Sequence, residues 1–221
     1  MERSLIETQL LEGCRRLASK GFFNAPANSF SMRIPGAMEM ILASGHEDWR
    51  QIGIADLQTA SLLASEGLSG LHASIYQERA DVGAVAISSP KGVRLLARYG
   101  GLLPPVFDEQ VRLIGSSVGP LKDEEKVHGD IVKKTFRGGA NAALLGERLL
   151  CLGMTCDRVL FNTELYDKCA QAYVIAKASG SRVGFIPFWV RLIANRRLLK
   201  DERRAAANYR HGRIPEGVNA Y

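Results

Sequence analysis

With 221 residues, 46% of them hydrophobic and 24% charged, the chain has material for one sizeable core and does not resemble a disordered polymer. No apolar run reaches the roughly eighteen residues that a helical membrane span needs. The net charge of +6 is localised: Arg191 to Arg213 hold eight Lys/Arg against Asp201 and Glu202, leaving 21 residues of each sign elsewhere, so a general nucleic-acid surface is not expected.

In chain order, Ser4 to Lys20 reads as a helix with Ile6, Leu10, Cys14 and Leu17 on one face. Ser4 with Glu7 fits a capping box, and Gly21 fits the C-terminal stop. This opening has early acids and no long apolar core, so it does not read as a secretory signal. A cytoplasmic chain follows as the expectation, with Cys14, Cys151, Cys156 and Cys169 reduced and buried as small apolar residues. Ser29 to Ile34 and Met38 to Leu42 read as strands around a Pro35-Gly36 turn. Asp56 looks like the acid of a helix start. Leu68, Leu71 and Ile75 share a helical face, and Val82 to Ile87 is a continuous apolar run that suits a central, doubly covered strand. Pro90 fits the first turn of a helix from Lys91 to Tyr99. Further on, Asp123 to Phe136 reads as an amphipathic helix, Ala142–Leu145 and Leu149–Leu152 as late strands, and Thr163 to about Ala178 as a helix with acids in its first turn. Ile186 to Trp189 opens a last, basic helical segment. No internal repeat or low-complexity tract is present.

Several of these stretches occur in the order of a known family. His72 with Ile75-Tyr76, then Arg79-Ala80-Asp81-Val82, then Ala84-Val85-Ala86-Ile87-Ser88-Ser89-Pro90 resembles a pattern of a helix histidine with "IY", "RPDV" and "AVVHTHS". Asn24 to Arg33 looks like "N..GN.S.R", and Ile41 to Gly45 like "ITPSG". The resemblance is to the class II aldolase/adducin family, which includes fuculose- and ribulose-phosphate enzymes and the adducin head. It spans roughly residues 5 to 180. It implies an α/β fold, a three-layer α/β/α sandwich with a central, mostly antiparallel sheet. Residues 1–180 would form that domain and 181–221 a basic helical extension packed on it or on a neighbouring subunit. Against the family pattern, residues 45–67 look shortened, with the strand–turn–strand before the helix reduced.

The resemblance also implies a zinc site, and there the sequence departs. The two metal-binding histidines of the strand are Ile87 and Ser89 here, and the third falls in the Glu147-Arg148 region, where an ion pair could stand instead. The catalytic glutamate position is Leu68, and Glu66 replaces it only if the local register shifts. No metal and no other cofactor are therefore expected. Asn28, Ser44 and Gly45 match residues that line the family's sugar-phosphate pocket. They are the ligand-binding candidates, because an amide, a hydroxyl and backbone N–H groups can cradle an anion. Asn28 could equally fix its turn, and Ala27 stands where the family has glycine. His46 and Glu66 are the catalytic candidates. His46 could exchange a proton near neutral pH. His72 reads as a satisfied core histidine, and no two histidines have the spacing of a metal pair. Ser88 and Ser89 lack a glycine-framed elbow and a base. Tyr209 could play the part of a C-terminal tyrosine that donates a proton across a subunit boundary in some family aldolases, although no motif anchors it.

Three functional readings follow. The first is an aldolase-like protein without the zinc site, lacking classical aldolase or epimerase activity and possessing a small-anion pocket for a sugar phosphate or carboxylate. The second is a metal-independent lyase or isomerase with an altered site. The third is a non-catalytic interaction protein comparable with the adducin head. The resemblance implies a homotetramer, to which the apolar Ile186, Phe188, Trp189 and Val190 could contribute.

Overall fold

The computed structural model describes residues 2–115, 118–121 and 129–216. Helix α1 (Glu2–Ser19) buries Ile6, Leu10, Cys14 and Leu17 completely, the face that helical spacing selects. The expected capping box does not form. Ser4 lies inside the helix, its carbonyl accepting from Thr8 Oγ1 at 2.9 Å, because the helix runs on through Arg3, which pairs with Glu7 at 3.0 Å. Gly21 closes the helix at φ 72°.

Strands β1 (Ser29–Arg33) and β2 (Glu39–Ser44) form the expected hairpin, with Ser29 opposite Ser44. The next segment is fuller than the sequence suggests. Asp56 starts no helix; it ends a 3₁₀ turn (Ile54–Asp56), its carboxylate accepting from Gly53 N at 2.8 Å, and strand β3 (Leu57–Ser61) follows. Helix α2 (Gly67–Glu78) and strand β4 (Ala84–Ser88) match the helix–turn–strand reading, and Pro90 caps α3 (Lys91–Arg98). A π-helical turn (Gln110–Ile114) and strand β5 (Val118–Leu121) were not legible. Helix α4 (Asp130–Thr135) is the final part of the expected Asp123–Phe136 helix; residues 123–128, His128 among them, lie outside the described residues.

Strands β6 (Ala142–Leu145) and β7 (Arg148–Gly153) sit where expected. Helix α5 (Cys156–Ala178) starts seven residues before Thr163. Its cap is Thr155, whose side chain accepts from Arg158 N at 3.2 Å, while Thr163 donates to the Val159 carbonyl from within the helix. Helix α6 (Phe188–Arg210) is the last helix among the described residues.

The seven strands form one sheet in the order β3-β2-β1-β4-β7-β6-β5, antiparallel throughout except for β5 beside β6. Alternation along the strands separates two cores. Phe30, Met32, Ala84, Ala86, Leu144 and Cys151 face α1, α3 and α5, whereas Val85, Ile87, Leu145 and Leu150 face α2 and α4. The result is a three-layer α/β/α sandwich. Helix α6 packs by Leu198 and Ala205 against Met154. The Tyr209 hydroxyl sits over Gly83, where any Cβ would collide with it.

Candidate functional site

One end of the sheet gathers most of the residues singled out from sequence. Ser29 pairs with both Ser44 and Ile87, so the start of β1, the end of β2 and the end of β4 lie side by side. The β6–β7 turn joins them, because Ser88 is opposite Leu149. Asn28, Ser44, Gly45, Ser89 and Arg148 thus surround one edge.

Asn28 and Ser89 bond to each other, and together with Arg148 they hold the backbone of residues 22–27. Asn28 is fully buried; its Oδ1 accepts from Asn24 N at 2.9 Å and Ala25 N at 3.0 Å, and its Nδ2 donates to Ser89 Oγ at 2.9 Å. Ser89 N donates to the Phe22 carbonyl at 2.8 Å. Arg148 donates from Nη1 to the Ala27 carbonyl at 2.6 Å, and its partial burial lowers its pKa. Asn28 therefore fixes its turn and also ties it to the end of β4. Ala27 sits there without strain, since among the described residues only glycines have positive φ. Gly45 is one of these, at 70°.

His46 is half-buried, with Nδ1 3.8 Å from Asp56 Oδ1 and its ring edge-on to Trp49 at 5.9 Å. Trp49 Nε1 donates to the Ala25 carbonyl at 3.1 Å, which ties His46 to the Asn28 loop. Glu66 is exposed just ahead of α2, and its carbonyl, not its side chain, takes the helix's first bonds from Ser69 and Gly70. Leu68, half-buried, packs on the α2-side core. The ion pair that could stand between Glu147 and Arg148 does not form among the described residues: Glu147 pairs with Arg98 at 3.2 Å, and Arg148 reaches the Ala27 carbonyl. Tyr209 is committed inside its own chain, donating to the Met154 carbonyl at 2.7 Å.

Beneath this edge lies a closed network. His72 is fully buried, with Nε2 2.9 Å from Ser29 Oγ and Nδ1 2.7 Å from Ser31 Oγ. The Tyr76 hydroxyl donates to the Ser31 carbonyl at 3.0 Å. Its single proton is then used, so Ser31 Oγ, 2.8 Å away, donates to Tyr76 and accepts from His72 Nδ1–H. Nε2 is left to accept from Ser29. The imidazole is neutral, its pKa pushed down to about 3 by burial. The sequence reading of a satisfied core histidine is met. All four cysteines are free and buried; burial pushes Cys151, Cys156 and Cys169 up to about 12. Such thiols are inert. Ser88 Oγ is buried with no hydrogen-bond partner among the described residues, which is not the setting of a presented nucleophile.

These residues do not fit the zinc implied by the sequence resemblance. Ile87 is buried among Leu71, Ile75 and Val85, Ser89 offers a neutral hydroxyl already held by Asn28, and Arg148 brings a cation. Among the described residues no group of three or more His, Cys, Asp or Glu side chains could hold a metal ion.

The sequence profile of the Class II Aldolase and Adducin N-terminal domain matches residues 8–174. No curated protein matches the chain. Among solved structures, an L-fuculose 1-phosphate aldolase from Glaciozyma antarctica superposes with a TM-score of 0.73 at 17% identity, covering 95% of this chain and 90% of its own. An aldolase II superfamily protein from Pseudomonas syringae gives 0.68 at 15% identity, with 95% and 96% covered. The L-fuculose-1-phosphate aldolase from Thermus thermophilus gives 0.63 at 16% identity, with 80% and 96% covered. At such identities the likeness establishes the fold alone.

Proposed function

The chain belongs to the class II aldolase and adducin family, and from that membership we propose that it is an aldolase-like protein without the family zinc site and without classical aldolase or epimerase activity. One observation carries this reading: the positions expected to hold metal are an apolar core residue, Ile87, and a hydroxyl tied to Asn28, Ser89. An aldol enolate needs a Lewis acid on several fixed ligands, and neither side chain supplies one. On this reading a small anion, a sugar phosphate or carboxylate, sits at Ser44 and the Gly45 backbone, with Arg148 as the nearby cation and Asn28, its amide already bonded to Asn24, Ala25 and Ser89, shaping the adjoining turn. The direct test is turnover of L-fuculose 1-phosphate, the substrate named for the structural neighbours, with and without added zinc. No cleavage is expected in either case. Cleavage that persists under chelator and falls with His46→Gln or Glu66→Gln would favour a metal-independent lyase or isomerase.

A second observation supports an assembly. Phe185, Phe188, Trp189, Val190 and Ile193 are all exposed around the start of α6. So dense an apolar cluster suits burial in an interface. On this reading residues 1–180 form the aldolase-like body, and the extension from 181 packs on a neighbouring copy in a homotetramer. Light scattering should give a mass above one chain, and Trp189→Ser should lower it. A wild-type monomer would leave the cluster to a partner protein, as in the adducin-like reading.

A further inference from the structure

Away from the sheet edge, an open cleft of about 330 Å³ lies between the end of α2, the C-terminal end of α4, the Arg137–Gly139 turn and the middle of α6. This is the low end of the volume range of small-molecule sites. Its floor is Arg79. The guanidinium grips Asp81 with Nε and Nη2, each at 2.8 Å, and Nη2 also reaches Asn141 Oδ1 at 2.8 Å and Glu202 Oε1 at 3.0 Å. Nη1 donates to the carbonyls of Phe136 and Ala140, both at 3.0 Å.

Those two carbonyls flank the Arg137–Gly139 turn, so Arg79 holds the turn at both ends. Gly138 and Gly139 have φ of 70° and 87°, a conformation that side-chain-bearing residues rarely adopt. Through Glu202 the same network fixes α6 next to Arg203. Both walls of the cleft are thereby set before any ligand arrives.

On these walls stand Lys133, Arg137 and Arg203, all exposed and none in an ion pair among the described residues. Asp81 and Glu202 are already engaged with Arg79. Glu78 on the lip is the remaining acid of the lining. Counting the frame, four cations (Arg79, Lys133, Arg137, Arg203) face three acids (Glu78, Asp81, Glu202), so the lining is +1, with its three outer cations outnumbering the one outer acid, Glu78. Like charges lining one prearranged hollow repel one another, and an anion lying between them relieves that repulsion.

We propose that this cleft is a binding site for a small ligand carrying two or more phosphoryl groups, held by Lys133, Arg137 and Arg203. Calorimetric titration of the full chain with inorganic pyrophosphate at about 0.15 M salt tests it. Saturable binding of one pyrophosphate per chain is expected, with monophosphate binding more weakly. The exposed pair Arg137→Gln/Arg203→Gln should weaken binding by about tenfold or more. Arg196→Gln/Arg197→Gln, which removes the same charge from α6 outside the cleft, should leave it nearly unchanged. No saturable binding by the wild-type chain would overturn the proposal, as would equal losses in the two double variants. Binding lost instead in Arg148→Gln would place the anion at the sheet edge and also overturn it. The activity test at the sheet edge can fail or succeed independently of these results.

Discussion

The sheet edge and the α4–α6 cleft handle polar groups in opposite ways. At the edge, Asn28, Ser89 and Arg148, drawn from three separate parts of the chain, bind the loop that ends at Asn28: Asn28 to Asn24, Ala25 and Ser89, and Arg148 to Ala27. At the cleft, the buried charges are consumed by the frame, and the cations standing on it are left over. A polar cluster that satisfies itself has stiffened into structure, whereas one that keeps unmatched charge on a rigid frame is set for a ligand. The family resemblance directs attention to the first region, and the local electrostatics to the second.

The largest effect expected from breaking this contrast is Arg79→Met. It removes the cation paired with both Asp81 and Glu202 and frees both ends of the Arg137–Gly139 turn. A loss of about 3–5 kcal/mol in urea unfolding is expected, as when one partner of a buried pair is removed. A loss well under about 1 kcal/mol would mean that the frame is not held by Arg79.

Asn28→Ala should rank next, at about 1–3 kcal/mol, because the backbone N–H groups of Asn24 and Ala25 lose their shared acceptor. Ser89→Ala should cost less, and the pair should be non-additive, since they share the Asn28 Nδ2–Ser89 Oγ bond. Additive losses would show that the bond does not couple the turn to β4.

A pH series sharpens the comparison at constant composition. His72 is neutral in the fold with its pKa pushed to about 3, while the unfolded imidazole titrates near 6.5. Its contribution is complete above pH 6.5 and is lost as pH falls toward 3. Glu202 has the opposite sign. Arg79 serves two carboxylates, and burial pushes Glu202 from 4.5 up to about 7, against the attraction of Arg79 and with help from Asp81. Its contribution is complete below pH 4.5 and is lost as pH rises toward 7. Unfolding free energies for wild type and Glu202→Gln, compared at pH 4.5 and pH 7, should show the wild type losing ground to the variant as pH rises. A constant difference would contradict the assignment.

The smallest stability effect belongs to the cleft rim. Arg137→Gln/Arg203→Gln should change unfolding free energy by no more than about 0.5 kcal/mol, as exposed charges usually do. A large loss would make these arginines part of the frame.

Legibility in the sequence followed the range of the interactions. The α2–β4 unit was readable because its apolar spacing is local and its pattern resembles a family. The burial of Ile87 followed from the same run. Thr163 misled, since a threonine followed by acids looks like a cap, yet its hydroxyl bonds back to Val159 inside α5. Strand β5 escaped because it is four residues long with Pro120 inside, and only its pairing with β6 makes it a strand. The gathering of Asn28, Ser44 and Ser89 could be expected through the resemblance, but not that Ser89 is held by Asn28, because that bond joins distant parts of the chain. The cleft draws on Arg79, Lys133, Arg137 and Arg203, and nothing in their spacing signals that they line one hollow.

The central claim is that the residues of the sheet edge hold themselves together in place of a metal. Elemental analysis of the purified chain after dialysis against buffer with trace zinc tests it most directly. The account predicts zinc far below one ion per chain, unchanged by Asn28→Ala or Arg148→Gln. One tightly held zinc per chain, released by a change at either position, would contradict it.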